Sequence, residues 1–144
     1  LYKTGALREY RVKSFEAQAW DLGKEKLPVA VVWRGFFFSG DPISSLGNMG
    51  GKSAVESLER LSNSTFLDTR LEVVYALRKA GGDKANEILL KMAKDPDLSV
   101  RRLIAEILGK IGGEDAVKAL RILAKDFSVY VMEEAKESLG DLGE

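Results

Sequence analysis

The residues that come nearest to a chemical motif are Gly47-Asn48-Met49-Gly50-Gly51-Lys52-Ser53. A phosphate-binding loop places glycine, four residues, then Gly-Lys-Ser or Gly-Lys-Thr after a strand. Its backbone amides wrap the phosphate and its lysine reaches it. Here only three residues separate Gly47 from Gly51, and no strand pattern immediately precedes them. The glycine pair also recurs as Gly81-Gly82 and as Gly112-Gly113. The pattern therefore predicts a turn between helices, not a nucleotide site.

The rest of the inventory removes more chemistry than it supplies. The 144 residues include no cysteine and no histidine. That excludes disulfides, Ser-His-Asp and Cys-His nucleophile activation, and metal sites built on either residue. Neighbouring carboxylates such as Glu133-Glu134 do not share a helix face, so they make no acid/base pair. Neither catalysis nor a bound cofactor has a residue to speak for it. Lysine plus arginine equals aspartate plus glutamate, and the net charge is zero. A nucleic-acid binder carries a clustered basic excess, so nucleic acid is not the expected partner, although a local basic face stays open. The lack of cysteine fits a reducing compartment. Leu1 to Leu22 has no apolar run of signal-peptide length, and Leu27 to Trp33, followed by Arg34, is too short to cross a bilayer. A cytoplasmic protein without a membrane contact is the expectation.

The elements that must position these residues are clearest from Asp97 to Asp126. Val100, Leu103, Ile104, Ile107, Leu108 and Ile111 follow helical spacing and form one apolar face. Asp97 or Ser99 can cap that helix, and Gly112-Gly113 can end it. Asp115 offers a new cap, and Ala116, Ala119, Leu120 and Leu123 form the next apolar face. A shift of about 31 residues superposes this stretch on its flanks. Arg101 falls on Arg70. Ile104, Ile107 and Leu108 fall on Val73, Ala76 and Leu77. Ala116, Leu120 and Leu123 fall on Ala85, Leu89 and Met92, then on Ala54, Leu58 and Leu61. Lys125-Asp126 falls on Lys94-Asp95, and Leu108-Gly109 on Leu139-Gly140.

The strings Asp97-x-x-Val100-Arg101, Ala105-x-x-Leu108-Gly109-Lys110-Ile111-Gly112 and Asp115-Ala116-Val117-x-x-Leu120, with a weaker copy from Arg70 to Leu89, carry a family signal. In them the chain resembles the short HEAT-like repeats first recognised in phycobilisome lyases, clearly from about residue 42 onward. The resemblance implies an all-α fold, an α-solenoid of stacked antiparallel helix pairs. It implies that Arg70 and Arg101 pair with acidic residues in a structural ladder. Asp68, Asp95 and Asp97 are the partners at hand, and Met132 ends the ladder. It also implies a concave face lined by the second helices. The polar positions there include Lys91, Lys94, Lys118, Arg121 and Lys125, a groove suited to an acidic segment if it is more than a solvated face. One HEAT-like enzyme class, the di-iron deoxyhypusine hydroxylases, depends on His-Glu ligand pairs, and a chain without histidine cannot belong to it.

Before residue 42 the pattern is fainter. Residues 1–41 read as a degenerate N-terminal repeat or cap, and 42–144 as the repeat array. Leu7 to Gly23 reads as a helix. Leu27 to Phe38 is helix by repeat context and strand by composition. Tyr2, Tyr10, Phe15, Trp20, Trp33, Phe36, Phe37 and Phe38 crowd this end. Three consecutive phenylalanines cannot all face one core, so Trp33, Phe36, Phe37 and Phe38 are candidates for a partner-binding patch. Pro42 opens a short helix to about Met49 after an Asp41 cap, and Ala54 to Leu61 is its partner. Val129 to Leu142 reads as a first helix without a second, either a trimmed repeat or a cap. The expected function is a non-catalytic scaffold for a protein partner. The alternatives are an accessory subunit of a phycobiliprotein bilin lyase and a weak nucleic-acid-binding solenoid. Pairing of two copies through an open solenoid end is a further expectation.

Overall fold

A computed structural model describes residues 42–144. These form seven helices and no strand: α1 Pro42–Met49, α2 Gly51–Leu61, α3 Leu67–Ala80, α4 Asp83–Met92, α5 Leu98–Ile111, α6 Glu114–Leu123 and α7 Val129–Asp141. The Leu7–Gly23 helix, the ambiguous Leu27–Phe38 stretch and the Asp41 cap lie outside the described residues. The chain divides into two compact units, the first ending at Ala80 and the second running from Gly81 to Glu144. In the first, α1, α2 and α3 pack on one another. In the second, α5 packs against α4, α6 and α7, and α6 also touches α4 and α7. Within each unit, short connections make successive helices antiparallel, the construction of an α-solenoid.

Local chemistry sets the helix ends. Pro42 takes the first position of α1, where its missing N–H costs nothing. Asp97 caps α5 by accepting the Ser99 backbone N–H at 2.8 Å. Gly112 closes α5 at φ 68°, its N–H donating to the Leu108 carbonyl at 2.9 Å. The next helix begins at once. Gly113, at φ 89°, holds the cap position of α6 without a side-chain bond. Asp115 is therefore inside the first turn of α6 and is not its cap. A two-residue glycine turn leaves no room for a longer approach. Likewise α2 starts at Gly51, ahead of Ala54.

The register deduced from sequence is the register of the core. Ala54, Leu58 and Leu61, then Ala85, Leu89 and Met92, then Ala116, Leu120 and Leu123 are all buried. So are Val73, Ala76 and Leu77, and Ile104, Ile107 and Leu108. Each fully buried leucine or isoleucine contributes roughly 1.5–3 kcal/mol. Ile111, at the end of its face, is only half-buried. The Thr69 hydroxyl is buried with no hydrogen-bond partner among the described residues. Its register equivalents Val100 and Val131 show that the position belongs to the apolar core.

First helices touch through small residues. A Cβ on Gly47 would lie 2.8 Å from the Ala76 backbone, and one on Gly109 would lie 2.6 Å from Ser138 Oγ. Gly47 and Gly109 are two repeats apart, as are Ala76 and Ser138, so both units use one contact. Ser138 Oγ also donates to the Ala105 carbonyl at 3.0 Å, which joins α7 to α5.

Candidate partner-binding surface

The inter-repeat loops of the second unit are built around Arg101. Its side chain is buried and satisfied on every side. Nε donates to Asp126 Oδ2 at 2.8 Å and Nη2 to Asp126 Oδ1 at 3.1 Å. Nη1 donates to the carbonyls of Asp95 and Pro96 at 2.9 and 3.0 Å. The guanidinium also sits 5.1 Å from the Phe127 ring centroid, within cation–π range. The ladder expected from the sequence exists at this arginine, with a different carboxylate. Asp126 takes the bidentate pair, one repeat beyond Asp95. Asp95 lends its carbonyl, and its carboxylate accepts the Asp97 N–H at 2.9 Å. Asp97 is occupied by its cap. An arginine near the start of a first helix can reach forward to the next loop, because two loops of adjacent repeats lie side by side. The shared Lys-Asp pair at 94–95 and 125–126 was the signal that could have shown it. Arg70 repeats the backward half of the pattern, its Nη1 donating to the Ser64 and Thr65 carbonyls at 2.9 and 3.3 Å.

The Arg101 hydrogen bonds hold the Asp126 carboxyl below the ordinary aspartate range, with the Ser128 N–H adding to the effect against the cost of burial. On the surface, the hydrogen bond from Lys91 and then the charge of Lys84 lower the Glu87 carboxyl.

The basic candidates are all exposed, on the second helices or in the turns that follow them. Lys91 is exposed on α4 and paired to Glu87 at 2.9 Å. Lys118 on α6 pairs with Glu114 at 2.7 Å, and Arg121 with Glu144. Lys94 and Lys125 lie in the turns that close α4 and α6 and carry no ion pair among the described residues. Trp33, Phe36, Phe37 and Phe38 lie outside the described residues. Sequence reading missed a second aromatic group. Phe66, Tyr75, Phe127 and Tyr130, all the aromatics between 42 and 144, are exposed. Each falls off the apolar stripe of the repeat, which was the available signal.

Little else in the described residues can do chemistry. Gly47 is inside α1 and Gly50-Gly51 is the turn to α2, at φ 60° and 78°. Nothing there wraps a phosphate, and Lys52 points to solvent with Glu56 at 4.0 Å. A groove of about 480 Å³ in the first unit is open and lined by Ser44, Glu72, Tyr75, Ala76, Arg78 and Lys79. No group of three His, Cys, Asp or Glu side chains among the described residues is placed to hold a metal ion. No helix among them is long and apolar enough to cross a membrane.

Stacked antiparallel helix pairs in a repeating register define an all-α repeat protein. Residues 58–140 match the HEAT repeats family, and the chain belongs to it. No curated protein matches the sequence. Among solved structures, a structure of human deoxyhypusine hydroxylase in complex with glycerol is similar. The two share 25% identity with a TM-score of 0.63, over 97% of this chain and 43% of that one. The chain thus spans less than half the length of that relative.

Proposed function

We propose that this chain is a non-catalytic scaffold that binds a protein partner. One observation carries the reading: every aromatic side chain among the described residues stands at the surface of an otherwise well-packed repeat array. Burying such rings is worth most at an interface, and aromatics are the usual anchors there. HEAT repeats supply the rigid frame on which the anchors are fixed. Two further parts of this reading are that the repeats are of the short phycobilisome-lyase type and that the protein works in the cytoplasm. The period of about 31 residues supports the first, and the absence of cysteine supports the second. The hydroxylase activity of the structural relative is not carried over, since the sequence holds no histidine.

The test is a pull-down from the source organism with three baits of confirmed fold: wild type, Trp33→Ala/Phe37→Ala and Phe127→Ala/Tyr130→Ala. The expected result is a stoichiometric protein partner lost with one of the two variants, which places the site. No partner with any bait overturns the scaffold reading. A bilin-dependent absorbance change on mixing would put the lyase accessory role in its place, and salt-sensitive retention of nucleic acid the third reading.

A further inference from the structure

We infer that the partner segment is an extended acidic peptide, its carboxylates on Lys94 and Lys125 and an apolar side chain against Ile122 and Phe127. This names the partner chemistry of the protein-binding reading above and rests on it. Most cations on the exposed face of α4 and α6 are neutralised from within, as Lys91 is by Glu87 and Lys118 by Glu114. The charge left over is Lys94 and Lys125, one at the same place in each repeat. Their acidic neighbours do not cancel them, because Asp126 is consumed by Arg101 and Asp95 by its own loop.

A lysine at a helix C-terminus also complements the helix dipole. The dipole gives no reason for the apolar groups beside it. Ile122, whose carbonyl accepts the Lys125 N–H at 3.0 Å, is 70% exposed, where the preceding repeat has Lys91. Phe127, two residues beyond Lys125, is 92% exposed, with the Arg101 guanidinium 5.1 Å from its ring centroid. An exposed ring near a lysine that carries no ion pair among the described residues is a ready anchor for an apolar side chain.

Spacing selects the shape of the occupant. The second helices α4 and α6 are in contact, and packed helices lie roughly 8–10 Å apart. In a polyproline-II segment, residues three apart share a side and lie about 9 Å apart. A peptide with two Asp or Glu residues at that interval matches lysines repeated on neighbouring second helices, and an apolar residue beside them suits exposed Ile122 and Phe127.

Random dodecapeptides displayed on phage, selected on the immobilised full chain and remeasured by fluorescence anisotropy, test this. Enriched peptides should carry acidic pairs three apart with an apolar neighbour. They should bind about tenfold more weakly to a folded Lys94→Gln/Lys125→Gln variant, lose affinity for Phe127→Ala, and ignore Lys52→Gln. Enriched peptides without acidic pairs, or acidic peptides bound equally by the double variant, overturn this inference and leave the protein-binding reading standing. Self-association of the free chain that disappears in the same variant also overturns it, by showing a second copy as the occupant. No enrichment of any peptide counts against both readings.

Discussion

Arg101 places a charge where an apolar side chain would normally go. A buried guanidinium is tolerated only because every donor group has an acceptor and the charge has Asp126. Asp126→Asn keeps an oxygen for the Ser128 N–H but removes the countercharge. We expect a loss of roughly 3–5 kcal/mol in urea titration, the cost of leaving a buried charge unpaired; a loss below about 1 kcal/mol, the surface-pair range, would count against the clamp. The pH dependence follows from the depressed carboxyl. The pair's contribution is complete above the unfolded aspartate value of about pH 4 and is lost as pH falls through the lower folded-state value. Wild type should therefore lose stability across that acid window, and the Asp126→Asn variant should lose less. The recurrence of Arg70 and Arg101 was legible in the chain. The identity of the Asp126 partner was not, because it depends on which loop lies beside which.

At the scale of the helix, boundaries follow from a few residues: Pro42 at a start, Asp97 at a cap, and the glycine pairs Gly50-Gly51, Gly81-Gly82 and Gly112-Gly113. Helix-to-helix distance follows from others. Gly109 is in the interior of α5, where alanine alone would favour the helix by up to about 1 kcal/mol. Its missing Cβ is what lets Ser138 approach, at 2.6 Å from where a methyl carbon would be. Overpacking costs roughly 1–3 kcal/mol, so Gly109→Ala should destabilise in spite of propensity. Ser138→Gly in the same chain should recover part of that loss, a coupling that a double-mutant cycle reads directly. Equal effects of Gly109→Ala with and without Ser138→Gly would mean that the close contact is not the cause. The glycine was visible in the sequence as part of Leu108-Gly109, but its neighbour 29 residues on was not.

Repeat proteins are stabilised by each repeat and its nearest neighbours. Damage therefore stays near its origin. Leu108→Ala removes a buried side chain of α5 and should cost roughly 2–5 kcal/mol. Hydrogen exchange should speed up in α4 to α7 more than in α1 to α3, since local stability reports local packing. A uniform rise across both units would show one cooperative block and refute nearest-neighbour behaviour.

Over residues 42–144 the helix pairs, their period and the apolar buried positions are legible in the chain. Those depend on the 3.6-residue turn and on glycine and aspartate chemistry within a few residues of each other. Only packing between repeats shows that Asp126 answers Arg101 and that Gly109 meets Ser138. Each of these joins residues from neighbouring repeats, and the physical reason is packing. The lateral distance between two helices is set by the side chains that meet there, and no periodicity within one helix contains it.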